Sequence, residues 1–306
     1  MDVRLPNFII GGTPAGGTSF LASILVQHPN IYLPKEMRPE PHYFYKSWEY
    51  EKGINYYLSR WFSEVPEAVK AIGERSSSYL FGGEIVAKKI AAEYPAMKFI
   101  FTLRNPIERA WANYRYTVLQ GLEELTFEEA LEKEPRRILN QTGIWAEIQP
   151  HNYTGRGFYG SQIEGFLKHF PVENLLIIKS ELLSSQTEVE IQKILKFLGL
   201  GLSHFDYIRV SDHSSCNVKE PKLQMELRGY FRDSFDKVIE AVRREEKLDR
   251  FISSHQDAEK IDLLKNNMTG RKEPMPKSSR KFLQTLFLED LKLLQSYVDF
   301  DLSDWK

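Results

Sequence analysis

Residues 7–20, NFIIGGTPAGGTSF, constrain the fold of this chain more than any other stretch. An apolar run leads into a Gly-rich turn, and a Thr-Ser pair then opens a helix. α/β proteins cradle phosphates in this way, because glycines let the backbone approach an anion and the first amides of a helix point positive charge at it. A lysine at the end of the loop would mark a nucleoside-triphosphate site. Reading Gly11 or Gly12 as the first glycine puts Gly17 or Thr18 at that position, so an ordinary Walker A loop is disfavoured.

The 306 residues, 42% of them hydrophobic, can bury a large core, and one sizeable α/β domain with helical additions is expected over residues 1–306. The formal net charge is −1. It exerts no general pull on nucleic acid, so any anion site must be a local concentration of Arg and Lys. Cys216 is the only cysteine, which excludes an internal disulfide and a cysteine metal cluster and points to a reducing, cytoplasmic setting. No stretch reaches the roughly 18 uninterrupted apolar residues of a membrane span, and the N-terminus does not read as a signal peptide. The composition is equally compatible with a domain of a larger multidomain protein.

Four apolar runs read as buried strands, at residues 7–11, 71–74, 98–103 and 174–179. Helical patterns at 18–28, 83–94, 106–119, 158–169 and 188–198 alternate with them, the mark of βαβ units and a parallel sheet. Beyond Pro221 the strand signal ends. A long charged helix is expected over 222–250, a polar loop over 265–276, and a closing amphipathic helix over 278–299 with Phe282, Leu286, Leu293 and Tyr297 on its buried side.

Arg104 falls at the carboxyl end of the third strand, where open α/β sheets place ligand groups, and a guanidinium there can grip a phosphate through paired hydrogen bonds. Arg109, one turn into the following helix, more often pairs with a carboxylate. The remaining histidines, His151, His169, His204, His213 and His255 among them, have no metal-site spacing.

The strand with its PAGGTS loop, the RNP-x-ERA segment at 104–110, GERSSSYL at 73–80, FYGSQIEGFLKHFP at 158–171 and the GRK-x-P-M segment at 270–275 together resemble the sulfotransferases that use 3′-phosphoadenosine 5′-phosphosulfate (PAPS), particularly the heparan N- and O-sulfotransferase type. The resemblance implies a P-loop-type parallel sheet flanked by helices, with a helical C-terminal portion. It makes Pro14, Ala15, Gly16, Gly17, Thr18 and Ser19 the loop for the 5′-phosphosulfate, and Arg104 a clamp on the 3′-phosphate. Gly270, Arg271 and Lys272 would close over the cofactor, Arg271 on the 3′-phosphate and Lys272 near the transferring sulfuryl group. Arg75 would face the acceptor, with Arg38 and Tyr43 beside it. Residues 34–44 are similar to the family segment whose glutamate is the general base, and this maps to Glu40. His42 shares its side of an extended backbone and is the runner-up.

The implied reaction is in-line sulfuryl transfer to a hydroxyl or amine of a small-molecule, acyl or glycan acceptor, driven by positioning and by cations placed where charge develops. Two departures bear on it. The family usually carries a basic residue where this chain has Ala15, so Lys272, or Arg38 or Lys35, must supply that charge, or the chain binds PAPS without turning it over. Ala112 stands where the family commonly offers a serine to the 3′-phosphate. A small-molecule P-loop kinase is a third reading, opposed by the missing Walker lysine.

Overall fold

The computed structural model describes residues 4–35, 39–201, 205–209, 216–243, 257–270 and 273–305. The chain divides into two compact units, one made of residues 1–109, 155–211 and 284–306 and the other of residues 110–154 and 212–283. Both are discontinuous in sequence, so no change of composition marks them off.

The first unit is built on a five-stranded sheet of β1 (Phe8–Gly12), β2 (Ile31–Tyr32), β3 (Ala71–Arg75), β4 (Lys98–Leu103) and β5 (Leu175–Lys179), in the order β2-β3-β1-β4-β5. All of its pairings are parallel. β1 and β3 are buried along their whole length, as near-continuous apolar runs are in a parallel sheet covered on both faces. On one face Phe8, Ile10 and Ile100 pack with Leu21, Ile24 and Leu25 of the helix Thr18–Leu25 and with Ile191, Ile194 and Leu195 of the helix Thr187–Phe197. Elsewhere in this unit Phe99 and Phe101 stack on each other and meet Phe166 of the helix Tyr159–Leu167 edge to face.

The register aligns Ile10 with Arg75 and Gly12 with Thr102. The carboxyl ends of β1, β3 and β4 therefore form one edge, and the segments that follow them, residues 13–19, 76–78 and 104–105, meet there. Open α/β sheets place ligands at this edge.

The four expected strands are present, and each of the expected helices through residue 198 has a counterpart. β2 was not expected, because two residues at a sheet edge carry no periodicity. The helix expected from residue 83 begins earlier, at Tyr79, and kinks at Gly83, where φ is +51°.

In the second unit the long helix expected over 222–250 is instead Pro221–Phe231 followed by Phe235–Arg243, broken by a 3-10 turn at Arg232–Ser234, where Arg232 takes a φ of +48°. The break lets Phe231, Phe235, Val238 and Ile239 join one apolar cluster with Leu264 of the helix Ala258–Asn267. Residues 244–250 lie outside the described residues. The expected loop at 265–276 begins as the end of that helix, and β7 (Met268–Thr269) then pairs antiparallel with β6 (Asn217–Val218), a long-range pairing that local sequence does not announce.

The closing helix spans Lys277–Gln295 and buries Leu283, Phe287, Leu291 and Leu294, while Phe282 is half exposed. The apolar stripe thus sits one position away from the expected one, since both phases satisfy helical spacing. No described helix is long and apolar enough to cross a membrane.

Candidate active site

The site begins with the loop after β1. The Gly16 amide donates to the Thr13 carbonyl at 2.9 Å, which closes the turn. A Cβ on Gly16 would stand 2.8 Å from the Thr102 carbonyl oxygen and from Thr13, so only glycine fits this approach of loop to β4. Gly17, with φ of +91°, caps the helix Thr18–Leu25, and among the described residues no side chain bonds its first amides. The first turn carries no acidic residue that would compete with an anion for these amides. Ala15 itself adopts a φ of +65°, an uncommon conformation for a residue with a Cβ, and its side chain brings no charge.

Arg104 is brought to this loop as expected, its Nη1 lying 3.5 Å from the Ala15 carbonyl oxygen. Its backbone is held from behind, where Tyr159 Oη donates to the Arg104 carbonyl at 3.0 Å. The Tyr159 helix is tied in turn by Asp290, whose carboxylate accepts from the Gly160 and Ser161 amides. Arginine and helix amides thus converge from two adjacent strands, as a phosphate-bearing ligand requires.

Arg75 differs from expectation. It is 6% exposed, and its Nη1 donates to Ser19 Oγ at 3.2 Å and forms an ion pair with Glu40 Oε1. It therefore joins the phosphate loop to the candidate base and does not stand open to an acceptor. The other oxygen of Glu40 accepts from the Ser77 amide at 2.7 Å and from Ser77 Oγ at 2.8 Å, and His42 Nε2 lies 3.2 Å from it. Burial pushes the Glu40 carboxyl up, but His42, Arg75 and the Ser77 donors outweigh it and hold the group below the usual carboxylate range.

His42 is pushed down to about 4, first by burial and then by Lys46, Arg156 and Arg75, against the opposing pull of Glu40. The ring is neutral at physiological pH. Its Nδ1 lies 2.6 Å from Ser78 Oγ, and a ring proton on Nε2, facing the Glu40 carboxylate, would leave Nδ1 to accept from that hydroxyl.

Tyr43 belongs to the core. It is 3% exposed and stacked on Tyr57 at 4.6 Å between centroids, with Phe44 edge-on at 4.9 Å, so it does not form part of a pocket wall. Lys35 is exposed and paired with Glu64. Ala112, on the helix Pro106–Leu119, is half-buried and offers only a methyl group, and Gly270 follows β7 on the surface of the second unit. Arg38, Arg271 and Lys272 lie outside the described residues.

Sequence reasoning gave no role to Ser77, Ser78 and Tyr159. The signal for the serines was available, since three consecutive hydroxyls directly after a buried strand fall at the ligand edge of a parallel sheet.

The sulfotransferase domain family matches residues 5–269 of this chain. Human heparan sulfate glucosamine 3-O-sulfotransferase 3B1 is 31% identical over 199 residues, which cover 64% of this chain and 47% of that protein. Human bifunctional heparan sulfate N-deacetylase/N-sulfotransferase 2 is 28% identical over 204 residues, covering 64% of this chain and 22% of that protein. The chain thus spans about half the length of the first of these relatives, and less of the second. A sulfotransferase structure from Alicyclobacillus acidocaldarius superposes with a TM-score of 0.69 at 24% identity, over 99% of both chains, and shows that the fold is shared.

Proposed function

This chain belongs to the sulfotransferase family, and from that premise we propose that it moves a sulfuryl group from PAPS to a hydroxyl or amine acceptor, with Glu40 as the base. The observation that carries this reading is the array Ser19–Arg75–Glu40, in which one buried guanidinium bonds both the phosphate loop and the carboxylate.

The residues fit the donor. The uncapped amides of Thr18 and Ser19, the close turn at Gly16 and the Arg104 guanidinium suit the two phosphate-bearing ends of an adenosine bisphosphate. Bound PAPS supplies the sulfuryl group. The bonds of Arg75 to Ser19 and Glu40 tie the loop proposed for the donor to the proposed base, and they bring positive charge to that junction. Glu40 is ionised at neutral pH and takes the proton from the acceptor hydroxyl or amine as that atom attacks, while neutral His42 keeps its Nε2 proton on the same carboxylate. Arg271 and Lys272 are proposed to complete the cofactor site from the segment at 270–272.

A glycan glucosamine is the first acceptor to try, because the relatives' names specify heparan sulfate. Small metabolites and carrier-bound acyl chains come next. The single cysteine favours a reducing, cytoplasmic setting.

A second reading, a protein that binds PAPS without transferring from it, is favoured by Ala15 alone. Calorimetry with 3′-phosphoadenosine 5′-phosphate, followed by transfer from radiolabelled PAPS to heparan-type, acyl and small hydroxyl acceptors, tests both. Binding with transfer supports the first reading and binding without transfer the second; absence of binding overturns both.

A further inference from the structure

Glu74 precedes Arg75 in β3, and strand alternation sends the two side chains to opposite faces. Arg75 turns to Ser19 and Glu40. Glu74 turns inward and is fully buried, its Oε1 accepting from Tyr57 Oη at 3.2 Å and Tyr79 Oη at 2.7 Å, its Oε2 from Ser76 Oγ at 2.6 Å. A carboxylate at this depth is costly, and apolar packing would have served stability as well or better.

Two of the three hydroxyls also hold backbone amides. Ser76 Oγ accepts from the His42 amide at 2.8 Å, and Tyr79 Oη accepts from the Phe44 amide at 3.3 Å. Each hydroxyl has a single proton. While that proton points at Glu74, the oxygen lone pairs face the amide; if Glu74 stops accepting, the hydroxyl can turn its proton toward the amide and the contact is lost. The turn held in this way contains His42, whose φ of +48° puts it in the left-handed region that favours glycine. That conformation aims His42 Nε2 at Glu40 and Nδ1 at Ser78.

We propose that Glu74 is a positioning residue: by fixing the direction of the Ser76 and Tyr79 hydroxyls it anchors the His42 and Phe44 amides, and so aims the Glu40–His42 pair. The proposal rests on the reading of Glu40 as the base.

Burial pushes the Glu74 carboxyl up to about 7 against the pull of its three hydroxyl donors, and the like charge of Glu40 adds to the rise. The other groups facing it are Tyr57 from the helix Ile54–Phe62 and Tyr79 from the helix Tyr79–Glu93, with Tyr94 close to Tyr57; burial keeps Tyr57 and Tyr79 protonated, and so both remain donors. The relays therefore hold above about pH 7; below it a protonated Glu74 donates through one oxygen only, which loosens the relay through Ser76 when Oε2 carries the proton and the relay through Tyr79 when Oε1 donates to it. Glu40 is held below its usual range and His42 at about 4, so neither accounts for a limb near neutrality.

The test compares Glu74→Gln, Ser76→Ala, Tyr79→Phe and Tyr57→Phe in the full chain, with Tyr57 as the discriminating control because its hydroxyl reaches the same carboxylate but no amide lies behind it. Glu74→Gln is expected to lower kcat about tenfold to a hundredfold, with acceptor KM and the Kd for 3′-phosphoadenosine 5′-phosphate within about twofold of the parent. It should also abolish the acid limb near pH 7 and speed hydrogen exchange of the His42 and Phe44 amides. Ser76→Ala should free chiefly the His42 amide and Tyr79→Phe the Phe44 amide, each with part of the loss in kcat, while Tyr57→Phe stays within about twofold of the parent.

Equal losses in Ser76→Ala and Tyr57→Phe, or unchanged exchange of both amides in Glu74→Gln, would overturn the proposal. If Glu74→Gln does not fold, Ser76→Ala against Tyr57→Phe decides. If the parent transfers no sulfuryl group, the functional reading fails, while amide exchange still tests the relay.

Discussion

Glu40 and Glu74 are the same residue type at neighbouring places in one hydrogen-bond array, yet they titrate in opposite directions. Glu74 is fully buried and Glu40 largely so, and for each burial is the largest influence, pushing the carboxyl up. Glu40 also has Arg75, His42 and the Ser77 donors beside it and is held below the ordinary range. Glu74 has three neutral hydroxyls and rises to about 7. Neutral donors offset only part of the cost of a buried carboxylate's charge, whereas the cations beside Glu40 add to its donors and outweigh that cost. The fold thus keeps one glutamate ionised at neutral pH and places another, raised to about 7, behind it.

The largest expected effect comes from removing the charged member. Glu40→Gln should lower kcat by about a hundredfold to ten-thousandfold, the usual contribution of a general base, with little change in calorimetric affinity for 3′-phosphoadenosine 5′-phosphate. A loss below about tenfold would show that the low-lying carboxylate is not the base.

Removing its counter-charge should sharpen the comparison further. Arg75→Met leaves Glu40 buried beside fewer positive groups, so unfolding by denaturant should show a loss of about 3–5 kcal/mol. The Glu40 carboxyl should also rise toward the behaviour of Glu74, moving the acid limb of the rate profile to higher pH. If neither stability nor pH profile changes, Arg75 is not what separates the two glutamates.

The pH dependence of stability should carry opposite signs for the two residues. The folded pKa of Glu74 is raised, so its contribution is fully present below the unfolded value and is lost as pH rises through about 7. The folded pKa of Glu40 is lowered, so its contribution is present above the unfolded value and lost as pH falls through the folded one. Thermal unfolding of Glu74→Gln should therefore gain most relative to the parent at alkaline pH, and that of Glu40→Gln should lose most at neutral pH. Matching slopes for the two variants would contradict the assignment.

The smallest change should come from Ser77→Ala, which removes one of the two Ser77 donors to Glu40 and leaves the backbone amide in place. A stability loss of about 1 kcal/mol is expected, with only a few-fold loss of kcat.

Much of this site was legible in the chain. The Gly-rich loop at 13–19 and Arg104 at the end of a strand follow from local pattern, and Glu40 with His42 from the likeness of residues 34–44 to a family segment; the structure places the loop beside Arg104 and Glu40 beside His42. Tyr43 and Arg75 were misread for a shared reason. An aromatic or cationic side chain near a site reads as pocket lining until its packing is known, and here Tyr43 stacks in the core while Arg75 is buried between Ser19 and Glu40. The phase of the closing helix was likewise ambiguous, because two adjacent apolar stripes satisfy the same spacing.

By itself, the sequence determined the four longer strands of the parallel sheet, the helices that alternate with them and the Gly-rich loop after the first strand, because these depend on residues a few positions apart. Only the tertiary structure decided which groups touch Glu40. Glu40 and Arg75 lie 35 residues apart, and Arg75 and Ser19 lie 56 apart. Their meeting depends on β3 pairing in register with β1, so that segments distant in the chain end at one edge of the sheet. The cations and donors gathered at that edge then hold one carboxylate low, while burial among neutral hydroxyls brings its neighbour near neutrality, a difference that no property of a glutamate in a sequence contains.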